Sequence, residues 1–130
     1  MSHGVALLLL SLVLFEVKHY VCDFVLQTGD MSRKKGIYGH RAGIIHAGTH
    51  VIGSVPAILL LTQALPRIWS ILAVEFLVHY HVDWLKLQLD KRRGLSVDRH
   101  MYWIIFGADQ LIHQLTYVGI LAVLAAAARI

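Results

Sequence analysis

Charge is scarce in this chain. Asp, Glu, Lys and Arg make up 15% of its 130 residues, against a hydrophobic share of 57% and a mean hydropathy of +0.62. Soluble domains carry about 25% charged residues. Residues 7–15 and 119–128 hold no charge anywhere on their circumference, which excludes amphipathic helices with a water-facing stripe. Cysteine occurs once, as Cys22, so no internal disulfide forms. That lone thiol has no activating base in its vicinity, and no serine nucleophile motif competes with it. The first apolar run lacks a basic leader and a small-residue cleavage site, so it is read as a retained helix rather than a signal peptide. Aromatic residues do not interleave the basic ones, which argues against a nucleic-acid partner.

What is present is four long apolar stretches, each near the roughly 20 residues that span a bilayer. The pattern predicts an all-α, single-domain integral membrane protein, a four-transmembrane-helix bundle of up-down topology over residues 1–130. Its helices are expected at residues 4–28, 41–65, 66–90 and 100–128. Pro56 is expected to kink the second, and Pro66 suits the first turn of the third. Gly94 reads as a C-terminal stop, with a new start near Ser96 or Asp98. Basic residues collect in two connections, Arg33, Lys34, Lys35 and Arg41 in one and Lys91, Arg92, Arg93 and Arg99 in the other, whereas Arg67 and Arg129 stand opposite. The positive-inside rule then places both connections in the cytoplasm, and Met1 and Ile130 on the non-cytoplasmic side. Membrane lipids are the expected surroundings, and the net charge of +4 is mostly this topology signal.

Each apolar stretch carries one polar pair spaced four residues apart: His19 with Asp23, His46 with His50, His79 with Asp83, and Asp109 with His113. Such spacing puts both members on one helix face. At about 1.5 Å per residue, Asp23, His46, Asp83 and Asp109 fall roughly 7–11 Å from the cytoplasmic ends, and His19, His50, His79 and His113 roughly 13–17 Å. The pairs are thus expected in two layers at one end of the bundle. Imidazole and carboxylate together suit zinc, manganese or iron, and eight donors are enough for one or two divalent ions, zinc leading. A hydrogen-bonded network tying the helices together is the plainer alternative.

Around these eight, Glu16 and Glu75 are candidate general bases for a metal-bound water. Gln27 and Gln110 are candidates to orient ligands. Lys86 is a candidate substrate-binding residue for an anionic or amphipathic small molecule. Lys18 could share that role or snorkel to the headgroups. His81 points away from His79 and is left outside. Gly43, Gly53 and Ala57 are expected to allow close helix packing.

The motifs His19-Tyr-Val-Cys-Asp23-Phe-Val-Leu-Gln27, His46-Ala-Gly-Thr-His50, His79-Tyr-His-Val-Asp83-Trp-Leu-Lys86 and Asp109-Gln-Leu-Ile-His113 resemble, in this order, those of domain-of-unknown-function family 3307. That family comprises small bacterial and phage membrane proteins, so the resemblance implies a bacterial inner membrane and no particular activity. A looser similarity is to the inner-membrane metal-dependent hydrolases, through His40-Arg41-Ala42-Gly43, Thr49-His50, His79 and Asp83. Alanine stands here where that family usually has glycine, and extra residues separate the histidines. Together these readings point to a zinc-type membrane hydrolase. A proton or metal-ion transporter or channel built on the same cluster, and a haem-binding carrier with axial histidines, remain as alternatives.

Overall fold

The structure is a computed structural model that describes residues 2–129. Met1 and Ile130, the termini assigned above to the non-cytoplasmic side, lie outside the described residues. Every regular element among the described residues is helical. Helix α1 spans His3–Tyr20 and runs into a π-helical turn at Val21–Val25. It is followed by α2 (Gly29–Lys34), α3 (Arg41–Leu59), α4 (Leu65–Arg93) and α5 (His100–Ala128). The four long helices close into a bundle, α1 lying between α3 and α5, and α4 completing the ring on the other side.

Three of the four are long and apolar enough to cross a membrane: His3–Val25, Arg41–Leu59 and His100–Ala128. Helix α4 has the length, but Glu75, His79, His81, Asp83 and Lys86 make it markedly more polar. Of the four spans expected, three are therefore apolar along their length and α4 is the polar one. The face of α4 that bears Glu75, His79 and Asp83 is buried against its neighbours.

Helix ends also depart from the sequence reading, for local reasons. The first helix does not run on to residue 28. Its α-helical part stops at Tyr20, and the wide turn that follows is closed by Leu26 N–H donating to Val21 O at 2.9 Å. Thr28 then starts a new helix, its hydroxyl accepting from Met31 N–H at 3.2 Å, so the first basic connection contains α2. The helix α3 ends at Leu59, six residues early. Leu61 and Thr62 both close onto Ile58 O, at 3.0 and 3.1 Å. Gly94, at φ 57°, is the left-handed residue that ends α4.

One half of the bundle is a dry core of Phe15, Ala57, Ile58, Ile68, Ile71, Leu72, Tyr117, Ile120, Leu121 and Leu124. The other half holds nearly all the buried polar groups. Small residues set the spacing there. A Cβ on Gly36 would stand 2.9 Å from Leu87 Cβ, and one on Gly43 would stand 3.0 Å from Tyr80 Cε2. Gly53 instead faces Lys18 and Cys22 of the α1 side, so Gly43 and Gly53 serve different neighbours of α3. Gly36→Ala should destabilise the purified protein by about 1–3 kcal/mol through overpacking. Gly107→Ala, where a Cβ meets nothing within 4 Å, should be neutral or stabilising by about 0.5–1 kcal/mol. Thermal unfolding in detergent checks both; a larger loss at Gly107 than at Gly36 would contradict the packing.

Candidate metal centre

Each long helix sends one histidine into a closed ring. His50 and His79 are 3.8 Å apart between ring centroids, His79 and His113 4.1 Å, His113 and His19 5.6 Å, and His19 and His50 5.5 Å. One turn toward the basic connections lie Asp23, His46, Asp83 and Asp109, all buried. Asp23 stands in the π-helical turn, a backbone form that recurs at functional sites. Gln110 closes this second layer, its amide donating to Asp23 Oδ2 at 3.3 Å and to Asp109 Oδ2 at 3.2 Å.

The atoms at the centre are shared more heavily than hydrogen bonding allows. His46 Nε2 lies 3.1 Å from Asp83 Oδ2, 3.2 Å from Asp23 Oδ1, and 3.3 Å from both His79 Nε2 and Lys35 Nζ. An imidazole nitrogen offers one N–H or one lone pair, so it serves one of these four. Donors bound to one tetrahedral zinc at about 2.0–2.1 Å stand about 3.3 Å apart, close to the spacing of His46 Nε2 from Asp23 Oδ1 and from His79 Nε2. His50 Nε2 to Asp23 Oδ1 is 3.0 Å, and His79 Nε2 to Asp83 Oδ2 is 3.3 Å. Two groups could hold an ion, Asp23, His46, His50 and His79 in one and His79, Asp83 and His113 in the other, the ligand atoms of each lying within 4.8 Å of one another.

Asp83 faces both groups. Its Oδ2 meets His46 and His79, while its Oδ1 lies 3.7 Å from His113 Nε2. His113 Nε2 and Asp109 Oδ1 are buried 3.5 Å apart without a hydrogen-bond partner. His19 is in neither group: its Nδ1 meets Tyr117 OH at 3.1 Å, and its Nε2 faces both Gln110 Oε1 at 2.9 Å and Asp23 Oδ2 at 3.3 Å.

The glutamates sit elsewhere. Glu75, 1% exposed, accepts from Lys18 Nζ and from Ser54 Oγ, each at 2.6 Å. Lys18 also donates to His50 O at 3.3 Å and lies 4.3 Å from the Tyr117 ring centroid. It is therefore buried in the bundle rather than snorkelling to the headgroups. Glu16 is half-buried on α1 and takes no part in the two groups. A polar cavity of about 90 Å³ opens beside the outer layer, lined by Asp23, Lys35, Asp83, Lys86, Asp109 and Gln110 among others. Neither glutamate lines it. Lys86 stands at this cavity, paired with Asp90 at 2.7 Å and 4.8 Å from the Tyr102 ring centroid. His81 is exposed on the far face, against Tyr38 OH at 3.1 Å.

Sequence reading missed Lys35, Ser54 and Tyr117. Lys35 follows two exposed cations and looks like them in the sequence. Lys18 did carry a signal, since a lysine inside an apolar helix calls for a buried partner, and Glu75 is that partner. Removing one member of such a pair leaves a buried charge uncompensated. Glu75→Ala should cost about 3–5 kcal/mol, and Lys18→Met combined with Glu75→Gln should recover most of it. Equal losses in the single and double variants, read by thermal unfolding, would show that the pair does not act as a unit.

Comparison with known proteins found no matching curated protein and no matching solved structure. A family model described as "Protein of unknown function (DUF3307)" matches residues 9–129, a span that takes in all four polar pairs. The chain belongs to the DUF3307 family.

Proposed function

We propose that the protein is an integral membrane metal-dependent hydrolase of the zinc type, acting on an amphipathic substrate at the end of the bundle that carries the basic connections. One observation carries the metal: among the described residues, Asp23, Glu75, Asp83 and Asp109 are buried with two buried ammonium groups, Lys18 and Lys35. Two negative charges are left in the apolar interior when the histidines are neutral, and unpaired buried charge is very costly. A divalent cation balances them and takes up the shared lone pairs of His46, His79 and Asp83. Bound there, it would lower the pKa of a water and polarise the scissile oxygen.

The remaining roles follow from what lines the cavity. Asp109, with an unpartnered buried Oδ1, is better placed than Glu16 or Glu75 to take a proton from that water. An apolar crevice between α4 and α5, lined by Val82, Leu85, Leu89, Ile105 and Ile112, shares Lys86 and Asp109 with the cavity. It offers an acyl chain a lateral approach from lipid. Transport would need a polar route through the other half of the bundle, which is filled by Phe15, Ile58, Leu72 and Leu124. Haem is disfavoured because the imidazoles already contact one another, leaving no slot for a macrocycle.

Protein purified without added metal should contain a divalent ion, and His50→Ala or Asp83→Ala should lower that content and the unfolding temperature together. His81→Ala should change neither. Hydrolysis of labelled lipid esters and phosphoesters should stop with chelator and return with zinc. Unaltered metal content in both ligand variants would leave a hydrogen-bonded network instead. For sidedness, cysteines at Lys34 and Arg92 should be labelled from the cytoplasmic face of sealed vesicles, and one at Gln63 from the other. Labelling of all three from one face would end the spanning topology.

A further inference from the structure

Three cations follow one another at the end of α2, and only the last turns inward. The side chains of Arg33 and Lys34 are 76% and 45% exposed, whereas Lys35 is 9% exposed. The connection after it is fastened to α4 residue by residue. Gly36 packs on Leu87 with no room for a side chain. Gln88 Nε2 donates to Gly36 O, and Gly39 N–H donates to Tyr80 OH, each at 2.6 Å. Tyr38 sets its ring edge-on to Trp84 with centroids 5.4 Å apart. So held, Lys35 donates to Asp83 Oδ1 at 3.0 Å, lies 3.3 Å from His46 Nε2, and lines the cavity.

We infer that Lys35 is a substrate-binding residue that pairs with the phosphate oxyanion of a phosphoester held at the mouth of the metal centre. This rests on the metal-hydrolase reading and narrows its substrate class. Asp83 is the carboxylate that an ion would share, and an ammonium beside a ligand already neutralised by a dication loses its attraction to it. The lysine stem is flexible enough to turn, and the adjacent cavity is where it can go. That cavity, about 90 Å³, has room for about three waters at about 30 Å³ each, which is the scale of one phosphate group. A phosphate there would lie beside the residues that would hold the ion and within reach of the ammonium, with Ser32 in the same wall as a neutral donor. Lys86 is less suited, being already held by Asp90 and the Tyr102 and Phe106 rings.

The test is calorimetric and needs no turnover. Detergent-purified protein, and its Lys35→Met, Lys35→Gln and Lys35→Arg variants, are titrated with zinc and then, zinc-loaded, with inorganic phosphate. Wild type should bind both. The Met and Gln variants should keep or gain zinc affinity and lose phosphate affinity by about tenfold or more, the scale of one charge-assisted contact, while Arg restores it. Displacement of phosphate by phosphatidic acid in nanodiscs, or by glycerol phosphate in solution, then identifies a lipid or a soluble source. Unchanged phosphate binding in zinc-loaded Met and Gln variants would overturn the assignment, as would a tenfold loss of zinc affinity in both, which makes Lys35 a support for the ligands. Wild type that binds no zinc would overturn the metal reading itself, and this inference with it.

Discussion

Asp83, like Asp23 and His46, meets four side chains of the polar half, and its four come from four different elements. Its two carboxylate oxygens face Lys35 from the connection after α2, His46 from α3, His79 from its own helix and His113 from α5. A carboxylate in an apolar bundle is tolerable only while its charge is matched. The positions of these partners are therefore constraints on one another: moving any of them inward or outward by a turn would strand Asp83. The inward turn of Lys35, which makes the first basic connection part of the site, follows from the same demand.

The requirement also explains why the bundle is divided. Charged and imidazole groups gather in one half, where they can satisfy each other, and the other half is packed with apolar side chains around Tyr117. Tyr117 stands at the boundary, its ring stacked on Phe15 at 5.1 Å and its hydroxyl on His19. Lys18 and Glu75 lie just beneath the histidine ring as a neutral pair. The polar half is thus floored by an ion pair, and a cavity opens beside its outer layer.

Much of this was legible in the linear chain because helical spacing is rigid. Pairs four residues apart must share a face, so His79 with Asp83 and Asp109 with His113 could be placed in advance. Boundaries were less legible where local hydrogen bonds compete with the helix. The π-helical turn around Asp23 has no compositional mark, and Thr28 reads equally well as a helix end or as the cap of α2. The early end of α3 at Leu59 depends on how Leu61 and Thr62 close onto Ile58.

By itself, then, the sequence determined an all-helical chain, the face each polar pair occupies and the end of the bundle where the pairs gather, since these follow from hydropathy and a fixed rise per residue. Tertiary structure alone decided which donors share atoms. It joined His19 to Tyr117 and Gln110 as well as to Asp23, and it gave Lys18 to Glu75 rather than to the membrane surface. It also brought Lys35 to Asp83 while leaving its two basic neighbours in the open. Those outcomes depend on distances between helices remote in sequence, and on the absence of a Cβ at Gly36 that lets a connection lie flat on α4. Periodicity along one helix carries no information about either.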